Sequence, residues 1–158
     1  MADTKFRVAD AASLLRRDHA QIRDLFEGYH QLGDPPRPSK RELFELIRRE
    51  LRAHAAVEEE ILYPAVEHGP DPRARELVRD ARQEHRILRG LLSEIRSLSP
   101  DDESFDTRMA VLRETCEHHA AEEERELFPI FIRLPPQVRE DVSDRLRTRR
   151  DELGEAAD

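Results

Sequence analysis

The sequence contains His54-Ala-Ala-Val-Glu58-Glu59-Glu60-Ile61-Leu62-Tyr63-Pro64 and repeats it 65 residues later as His119-Ala-Ala-Glu122-Glu123-Glu124-Arg125-Glu126-Leu127-Phe128-Pro129. A shorter pair, Asp18-His19 and Glu84-His85, recurs at a distance of 66 residues. Repetition at a fixed distance indicates a duplicated structural unit. The chain is therefore predicted to consist of two tandem helix pairs.

Each long copy places a histidine and a glutamate four residues apart, His54 with Glu58 and His119 with Glu123. Residues at that spacing lie on one face of an α-helix. An imidazole nitrogen and a carboxylate oxygen then point toward one place, which is the arrangement that a metal ion needs. The repeated spacing predicts a metal site built on helices.

The composition favours a single all-α domain. The chain has 158 residues, of which 37% are hydrophobic and 39% charged, with only 5 glycines. This length fits one core, and a leucine-rich composition with few glycines suits helices. The net charge of −8 argues against nucleic acid or an anionic membrane surface as a partner, because like charge repels phosphate.

The sequence also predicts a cytoplasmic location. No run approaches the roughly 18–20 apolar residues needed to cross a bilayer, and residues 1–7 lack the apolar segment of a secretion signal. The single cysteine, Cys116, cannot form an internal disulfide, which agrees with a reducing compartment.

Apolar residues recur at alternating spacings of three and four along four segments, which predicts four amphipathic helices, A to D. Polar residues occupy some of the core positions on these stripes. The predicted stripes are Leu15, His19, Ile22, Phe26 and Tyr29 on A; Phe44, Ile47, Leu51, His54, Glu58 and Ile61 on B; Val78, Ala81, His85, Leu88, Leu92 and Ile95 on C; and Phe105, Met109, Leu112, Cys116, His119, Glu123 and Leu127 or Ile130 on D.

Proline and capping residues predict the helix ends. The proline-rich segment 33–38 separates A from B, and Ser39 begins helix B as a capping residue. Asp71, followed by proline, marks the start of helix C. Pro64 should kink helix B or end it early, and Pro129 should act in the same way on helix D.

The last segment is predicted to be separate from the bundle. Residues 1–134 form the four-helix bundle, and residues 135–158 form a charged helical tail packed on it, fraying at its end. The tail is expected to lie on the end of the bundle, and a homodimer contact through it is the alternative. Its thin apolar edge consists of Val138, Val142, Leu146 and Leu153.

Four helices joined by short connections alternate in direction, giving an up-down-up-down antiparallel bundle. If the polar core residues lie at one level, six side chains converge there. Two buried carboxylates beside four imidazoles require a cation, since an unpaired buried charge is very unfavourable, and the repeat implies that ions are bound in a pair. The candidate ligands are His19, His54, Glu58, His85, His119 and Glu123.

The donor types favour iron. Nitrogen and oxygen donors without thiolate suit iron, manganese or zinc, and a dinuclear histidine and carboxylate site in a helical bundle most suggests iron. Zinc normally occupies a single tetrahedral site. Two bridging carboxylates and a bridging oxo or hydroxo group would leave a coordination vacancy on each iron for dioxygen, peroxide, nitric oxide or water.

The order His19, His54-x-x-x-Glu58, His85, His119-x-x-x-Glu123 resembles the hemerythrin-like (HHE cation-binding) domain family over about residues 10–132. The paired motif, which ends both times in aromatic-proline, is specific. The resemblance implies a four-helix bundle with a non-haem diiron centre. It implies that His19 and His54 bind one iron, that His85 and His119 bind the other, and that both glutamates bridge.

The chain departs from oxygen-carrying hemerythrins at two places. Those proteins have a further histidine at the position of Arg89, and they end the last helix with His-x-x-x-x-Asp, where this chain has Glu123 and then Glu124. Fewer nitrogen ligands leave both irons open, which argues against reversible oxygen storage. Proteins that resemble this variant are linked to peroxide breakdown, iron handling, and oxygen or nitric-oxide response.

The sequence therefore predicts a diiron protein that binds dioxygen, peroxide or nitric oxide, with catalase-like peroxide breakdown as its candidate enzymatic activity. The alternatives are a non-enzymatic iron-storage or iron and oxygen sensor, and a metal-free helical adaptor. A tyrosine near the metal would favour peroxide chemistry, and Tyr29 and Tyr63 are the two candidates. The remaining histidines, His30, His68 and His118, are assigned to solvent-exposed positions.

Overall fold

The computed structural model describes residues 10–32 and 39–156. Residues 1–9 and the predicted proline break at 33–38 lie outside this part. Among the described residues, no helix combines the length and apolar character needed to cross a membrane. The helices are α1 (Ala11–His30), α2 (Lys40–Val57), α3 (Tyr63–Glu67), α4 (Ala74–Ser97), α5 (Glu103–Glu122), α6 (Phe128–Ile132) and α7 (Pro136–Ala156).

The helices up to α6 form two structural repeats. In the first half, a π-helical segment (Glu58–Leu62) connects α2 directly to α3. In the second half, a π-helical segment (Glu123–Leu127) connects α5 directly to α6. The first half therefore comprises α1, α2 and α3, and the second half comprises α4, α5 and α6.

Side-chain caps begin the helices largely where the sequence predicts. The Ser39 hydroxyl accepts the backbone N–H of Glu42 at 3.2 Å, which confirms the predicted cap of α2. The Asp71 carboxylate accepts the N–H of Arg73 at 2.9 Å, but α4 begins only at Ala74. The predicted start of this helix was wrong by two residues, because Asp71 caps a tight turn that precedes the first α-helical turn.

Two apolar clusters lie on either side of a polar layer, and they establish the helix directions. Along α1 and α4 the chain passes from the first cluster through a histidine to the second, whereas α2 and α5 pass in the opposite order. The predicted antiparallel bundle is confirmed, and every residue of the four predicted stripes is buried. The first cluster includes Leu15, Val57, Ala81 and Leu127, and the second includes Ile22, Leu51, Leu88 and Cys116.

Neither Pro64 nor Pro129 ends its helix. The N–H of Tyr63 donates to the carbonyl of Glu58, five residues back, and the N–H of Phe128 donates to the carbonyl of Glu123 in the same way. Of the two predicted alternatives, a kink or an early end, the early end is wrong, because a wide π turn just before each proline lets the helical backbone continue without the missing proline N–H. Both wide turns begin at a glutamate of the predicted site.

Helix α7 packs along the first half and reaches the level of the polar layer. It contacts α1, α2 and the π turn between α2 and α3. Val142 and Leu146 are buried in the first apolar cluster, and Ser143 accepts the backbone N–H of Ala11 at 2.9 Å. The expected position on the bundle end was wrong, because this apolar edge fits the flank formed by α1 and α2.

Candidate metal centre

The structure brings all six candidate ligands together in the polar layer. Each is at most 6% exposed. The histidines form two pairs: the rings of His19 and His54 have centroids 4.7 Å apart, and so do the rings of His85 and His119. Each pair takes its histidines from the two long helices of one half.

Each glutamate reaches both histidine pairs. Glu58 Oε1 lies 3.1 Å from His54 Nε2 and 3.3 Å from His85 Nε2. Glu123 Oε1 lies 3.3 Å from His19 Nε2 and 3.2 Å from His119 Nε2. Two carboxylates that span two pairs of imidazoles have the arrangement of bridging ligands.

The separations suit coordination. The Nε2 atoms of His85 and His119 are 3.0 Å apart. Two nitrogens that bind one ion at about 2.1 Å and at right angles are also about 3.0 Å apart. Ligand atoms of two groups lie within 4.8 Å of one another, and Glu58 belongs to both: the groups are His19, His54, Glu58 and Glu123, and Glu58, His85 and His119.

Carboxylates also face the other ring nitrogen of the histidines in the first half. His54 Nδ1–H donates to Asp18 at 3.1 Å, and His19 Nδ1–H donates to Glu124 at 3.2 Å. Such a bond fixes the tautomer and directs the Nε2 lone pair into the site.

The second half repeats this arrangement. His119 Nδ1–H donates to Glu84 at 2.5 Å, and His85 Nδ1 lies 3.3 Å from Glu59. Sequence reasoning gave Asp18 and Glu84 no role in the site. The signal was present, because the repeated dipeptides 18–19 and 84–85 each join a histidine to the acid that orients another histidine.

The buried polar atoms of the layer are close together but poorly aligned for hydrogen bonds. Within the described residues, both oxygens of Glu58, Oε1 of Glu123, and Nε2 of His19 and His54 lack a well-formed hydrogen bond. Leaving so many buried polar atoms unsatisfied is costly. Their lone pairs converge on shared points, so a cation bound among them would satisfy them together, and the residues fit a metal.

Protons balance the charge of the metal-free layer. Burial opposes protonation of His54, but the carboxylates of Glu58 and Asp18 outweigh burial and raise the pKa of His54 to about 10. Burial likewise opposes protonation of His119, yet Glu123 and other carboxylates raise its pKa well above the ordinary value. One histidine of each half, His54 and His119, therefore favours its protonated form, and a bound metal ion would displace that proton.

A comparison with known families agrees with this geometry. The sequence profile of the hemerythrin HHE cation-binding domain matches residues 10–131. The chain belongs to that family. The matched residues include both halves and all six candidate ligands, so the HHE assignment and the buried cluster concern the same part of the molecule.

Two individual proteins resemble this HHE-domain chain. A crystal structure of a hemerythrin HHE cation-binding domain-containing protein from Mycobacterium kansasii has a TM-score of 0.79 and 22% sequence identity, and the match covers 92% of this chain and 88% of that one. A DNA nickase from Nostoc sp. is 32% identical over 115 residues, which are 73% of this chain and 31% of that protein. The chain thus spans about a third of the Nostoc relative.

Tyr63 lies in the site, whereas Tyr29 does not. The buried Tyr63 hydroxyl donates to Glu123 Oε2 at 2.8 Å and lies 3.2 Å from His85 Nε2. Burial, together with Glu58 and Glu123, raises the pKa of Tyr63 well above its ordinary value, so its hydroxyl stays protonated. Tyr29 instead donates to Asp106, in the second apolar cluster away from the metal layer.

A cavity of about 220 Å³ lies against the histidines on the side of the second apolar cluster. Arg89, the residue at the position of the further histidine in oxygen carriers, lines this cavity and turns its guanidinium to Glu59 at 3.1 Å. The apolar lining consists mainly of Ile22, Phe26, Leu51, Leu88, Leu92 and Cys116. A small neutral molecule can therefore occupy space directly beside the candidate ligands.

The histidines assigned to solvent do not join the cluster. His30, His68 and His118 are exposed, which confirms their predicted positions. Near the end of α7, an arginine reaches two carboxylates. Arg150 donates to Asp18 at 3.2 Å and also to Glu50, so α7 contacts the carboxylate that orients a candidate ligand.

Proposed function

We propose that this HHE-domain protein holds two iron ions, with His19 and His54 on one and His85 and His119 on the other. Glu58 and Glu123 would bridge the two ions. The observation that carries the proposal is the reach of each carboxylate to both histidine pairs, at 3.1 to 3.3 Å. The donor set of nitrogen and oxygen without sulfur supports iron.

The proposed ligand is dioxygen, peroxide or nitric oxide, bound from the apolar cavity. Two iron ions would supply Lewis acidity and two-electron exchange. The apolar lining keeps bulk water from the ligand, and Arg89 leaves that space free of a further histidine. A cytoplasmic location, without a nucleic-acid or membrane partner, is part of the proposal.

Tyr63 favours peroxide among these ligands, with disproportionation of two hydrogen peroxide molecules into two water molecules and one dioxygen molecule. Its protonated hydroxyl lies between Glu123 and His85, where it can donate a hydrogen bond to a reacting oxygen and stabilise the charge that develops there. Phe128 occupies the equivalent position of the other half and stacks on His19 at 5.8 Å without offering a proton.

Oxygen evolution tests this activity. Iron-loaded protein mixed with hydrogen peroxide should release dioxygen in catalytic excess over protein. Bound iron without turnover would remove the enzymatic proposal and leave the non-enzymatic one, iron storage or sensing. One contact favours sensing, because Arg150 connects α7 to Asp18 and through it to His54.

Treatment with a chelator distinguishes a metal-free adaptor from both iron-binding functions, the enzymatic and the non-enzymatic one. A ligand present at about 1,000 times its dissociation constant stabilises the folded state by about 4 kcal/mol, so chelation should lower the melting temperature clearly. An unchanged melting temperature would support the adaptor. DNA nicking, the activity in the name of the Nostoc relative, is not proposed here, because the net charge of −8 repels phosphate and the six donors are buried.

A further inference from the structure

The two halves present different grooves over the metal layer. One groove lies between α1 and α2, and the other lies between α4 and α5. Four positions of the first groove correspond to four of the second through the repeat distances of 65 and 66 residues. Leu14, Asp18, Val57 and Ile61 in the first groove correspond to Asp80, Glu84, Glu122 and Glu126 in the second.

The first groove is apolar and covered. Val57 and Ile61 are buried in one cluster with Val142 and Leu146 of α7. Arg150 of α7 closes over Asp18, the one carboxylate among these four positions, and also pairs with the nearby Glu50. Among the four compared positions of the first groove, the single carboxylate is therefore already paired with a cationic side chain.

The second groove is acidic and open. It contains a cavity of about 110 Å³ between α4 and α5. Asp80 is exposed, and the side chains of Glu122 and Glu126 are 41% and 38% exposed at its outer end. Its inner end is lined by the buried His119 and Glu123, which are candidate metal ligands.

The inner end of this cavity is lined by a candidate metal ligand, Glu123, whose buried Oε1 has no well-aligned hydrogen bond among the described residues. Toward the surface, Glu84, His118 and Glu122 bring ligand atoms within 4.8 Å of one another. Carboxylates gathered in a cleft raise the local concentration of cations and speed their capture, whereas their mutual repulsion does nothing for the fold.

The apolar cavity beside the histidines is a poor route for a cation. Its charged lining consists of three arginines and two glutamates, and the rest is mainly apolar. An approaching cation would be repelled by the arginines and would lose its water to apolar walls. The two cavities therefore suit different molecules, a neutral ligand in one and a cation in the other.

We propose that the groove between α4 and α5 is the route by which ferrous ion reaches the buried site. The outer carboxylates capture the hydrated ion, and its waters are replaced stepwise by Glu84, Glu122 and finally Glu123 oxygen atoms. This route depends on one part of the proposed function, namely that the six buried residues hold iron. It assigns Asp80, Glu122 and Glu126 to uptake and not to the final site.

The rate of metal loading tests the route. Full-length, metal-free protein is mixed anaerobically with ferrous ion, and samples are quenched with a strong chelator at short intervals. In the variant E122Q/E126Q, uptake should slow by about tenfold, the lower end of electrostatic steering effects. The final iron content should equal that of the wild type, and added salt should slow the wild type more than the variant.

The matched control is E94Q/E114Q, which removes the same charge from exposed positions on α4 and α5 that do not line the cavity of the groove. It should load at the wild-type rate. Equal rates in E122Q/E126Q and wild type would overturn the route, and so would equal slowing in both variants. A folded E122Q/E126Q protein with less final iron would also overturn it, since those residues would then hold the ion. Failure of the wild type to load iron at all would instead refute the proposed function.

Discussion

The two halves of the molecule are alike in the metal layer and different around it. Each half supplies two histidines, one glutamate and the acids that orient histidine rings, at matching sequence positions. Beyond these ligands and acids the halves differ: Tyr63 corresponds to Phe128, and the groove covered by α7 corresponds to the open acidic groove. Features that repeat suit the shared task of holding two ions, whereas those that differ suit reactivity and access.

The largest expected effect concerns what the halves share. His54→Ala and His119→Ala each remove one donor, one from each half, and each should lower the iron content well below that of the wild type. Absorbance from oxo-to-iron charge transfer should disappear in both, because a bridged pair needs both ions. Metal analysis and an optical spectrum of the purified variants measure these two losses.

The control is His68→Ala, an exposed histidine whose Nδ1 donates to the Pro64 carbonyl. It should keep both the iron and the absorbance. If only one of the two ligand variants lost iron, the halves would not be equivalent and a mononuclear site would replace the pair. If all three variants behaved alike, the six-residue site would be wrong.

The next effect is the dependence of metal affinity on pH. His54 has its pKa raised from about 6.5 to about 10, and the pKa of His119 is raised in the same direction. In the metal-free protein, the stability from these protons is fully present below about pH 6.5 and is lost as pH rises through the folded pKa values.

Because metal must displace both protons, its apparent affinity should rise across this window. One proton displaced from each half predicts an increase of up to about 100-fold per pH unit. Competition with a chelator of known affinity at several pH values measures the slope. An increase of only tenfold per pH unit would mean that metal displaces one proton, from one half. An affinity that does not change with pH would contradict protonation of His54 and His119 in the metal-free protein.

Tyr63→Phe makes the two halves alike at the aromatic position that precedes each proline, Pro64 and Pro129. Iron content should stay unchanged, since the hydroxyl is not among the proposed ligands. Oxygen evolution from peroxide should fall by about 100-fold, the lower end of what the loss of one preorganised hydrogen-bond donor costs. Tyr29→Phe, far from the layer, should leave turnover unchanged. Full activity in Tyr63→Phe would show that this difference between the halves has no chemical role.

The smallest effect concerns the helix that covers only the first half. Arg150→Ala removes a partly buried contact with Asp18 and Glu50, and it should lower the free energy of unfolding by about 1 kcal/mol. Denaturant unfolding of the metal-free protein measures the loss. Arg145→Ala breaks only an exposed pair with Asp141 and should cost less. Equal losses would mean that α7 does not support the layer through Arg150.

The sequence predicted the parts of the molecule that depend on periodicity. Spacings of three and four placed every stripe residue in the core, and the duplication singled out the six residues that the structure brings together. Both are properties of one helix at a time or of its repeat. The core positions and the six site residues can therefore be predicted without knowing how the helices pack.

The parts that were missed depend on contacts between helices. Asp18 and Glu84 orient histidines on a neighbouring helix, which spacing along one chain does not reveal. From the sequence, Pro64 indicates only that one backbone N–H is missing. The π turn that compensates depends on how the residues before and after the proline pack in the core. The thin apolar edge of α7 is compatible with the bundle end and with its flank, and the apolar groove between α1 and α2, which decides its position, exists only once the helices have packed.

The number of iron ions bound per chain tests the central claim most directly. Protein loaded anaerobically with ferrous ion, exposed to air and freed of loose metal should contain two irons per chain and show charge-transfer absorbance of a bridged pair. One iron per chain without that absorbance, or none, would contradict a site in which Glu58 and Glu123 join two histidine pairs.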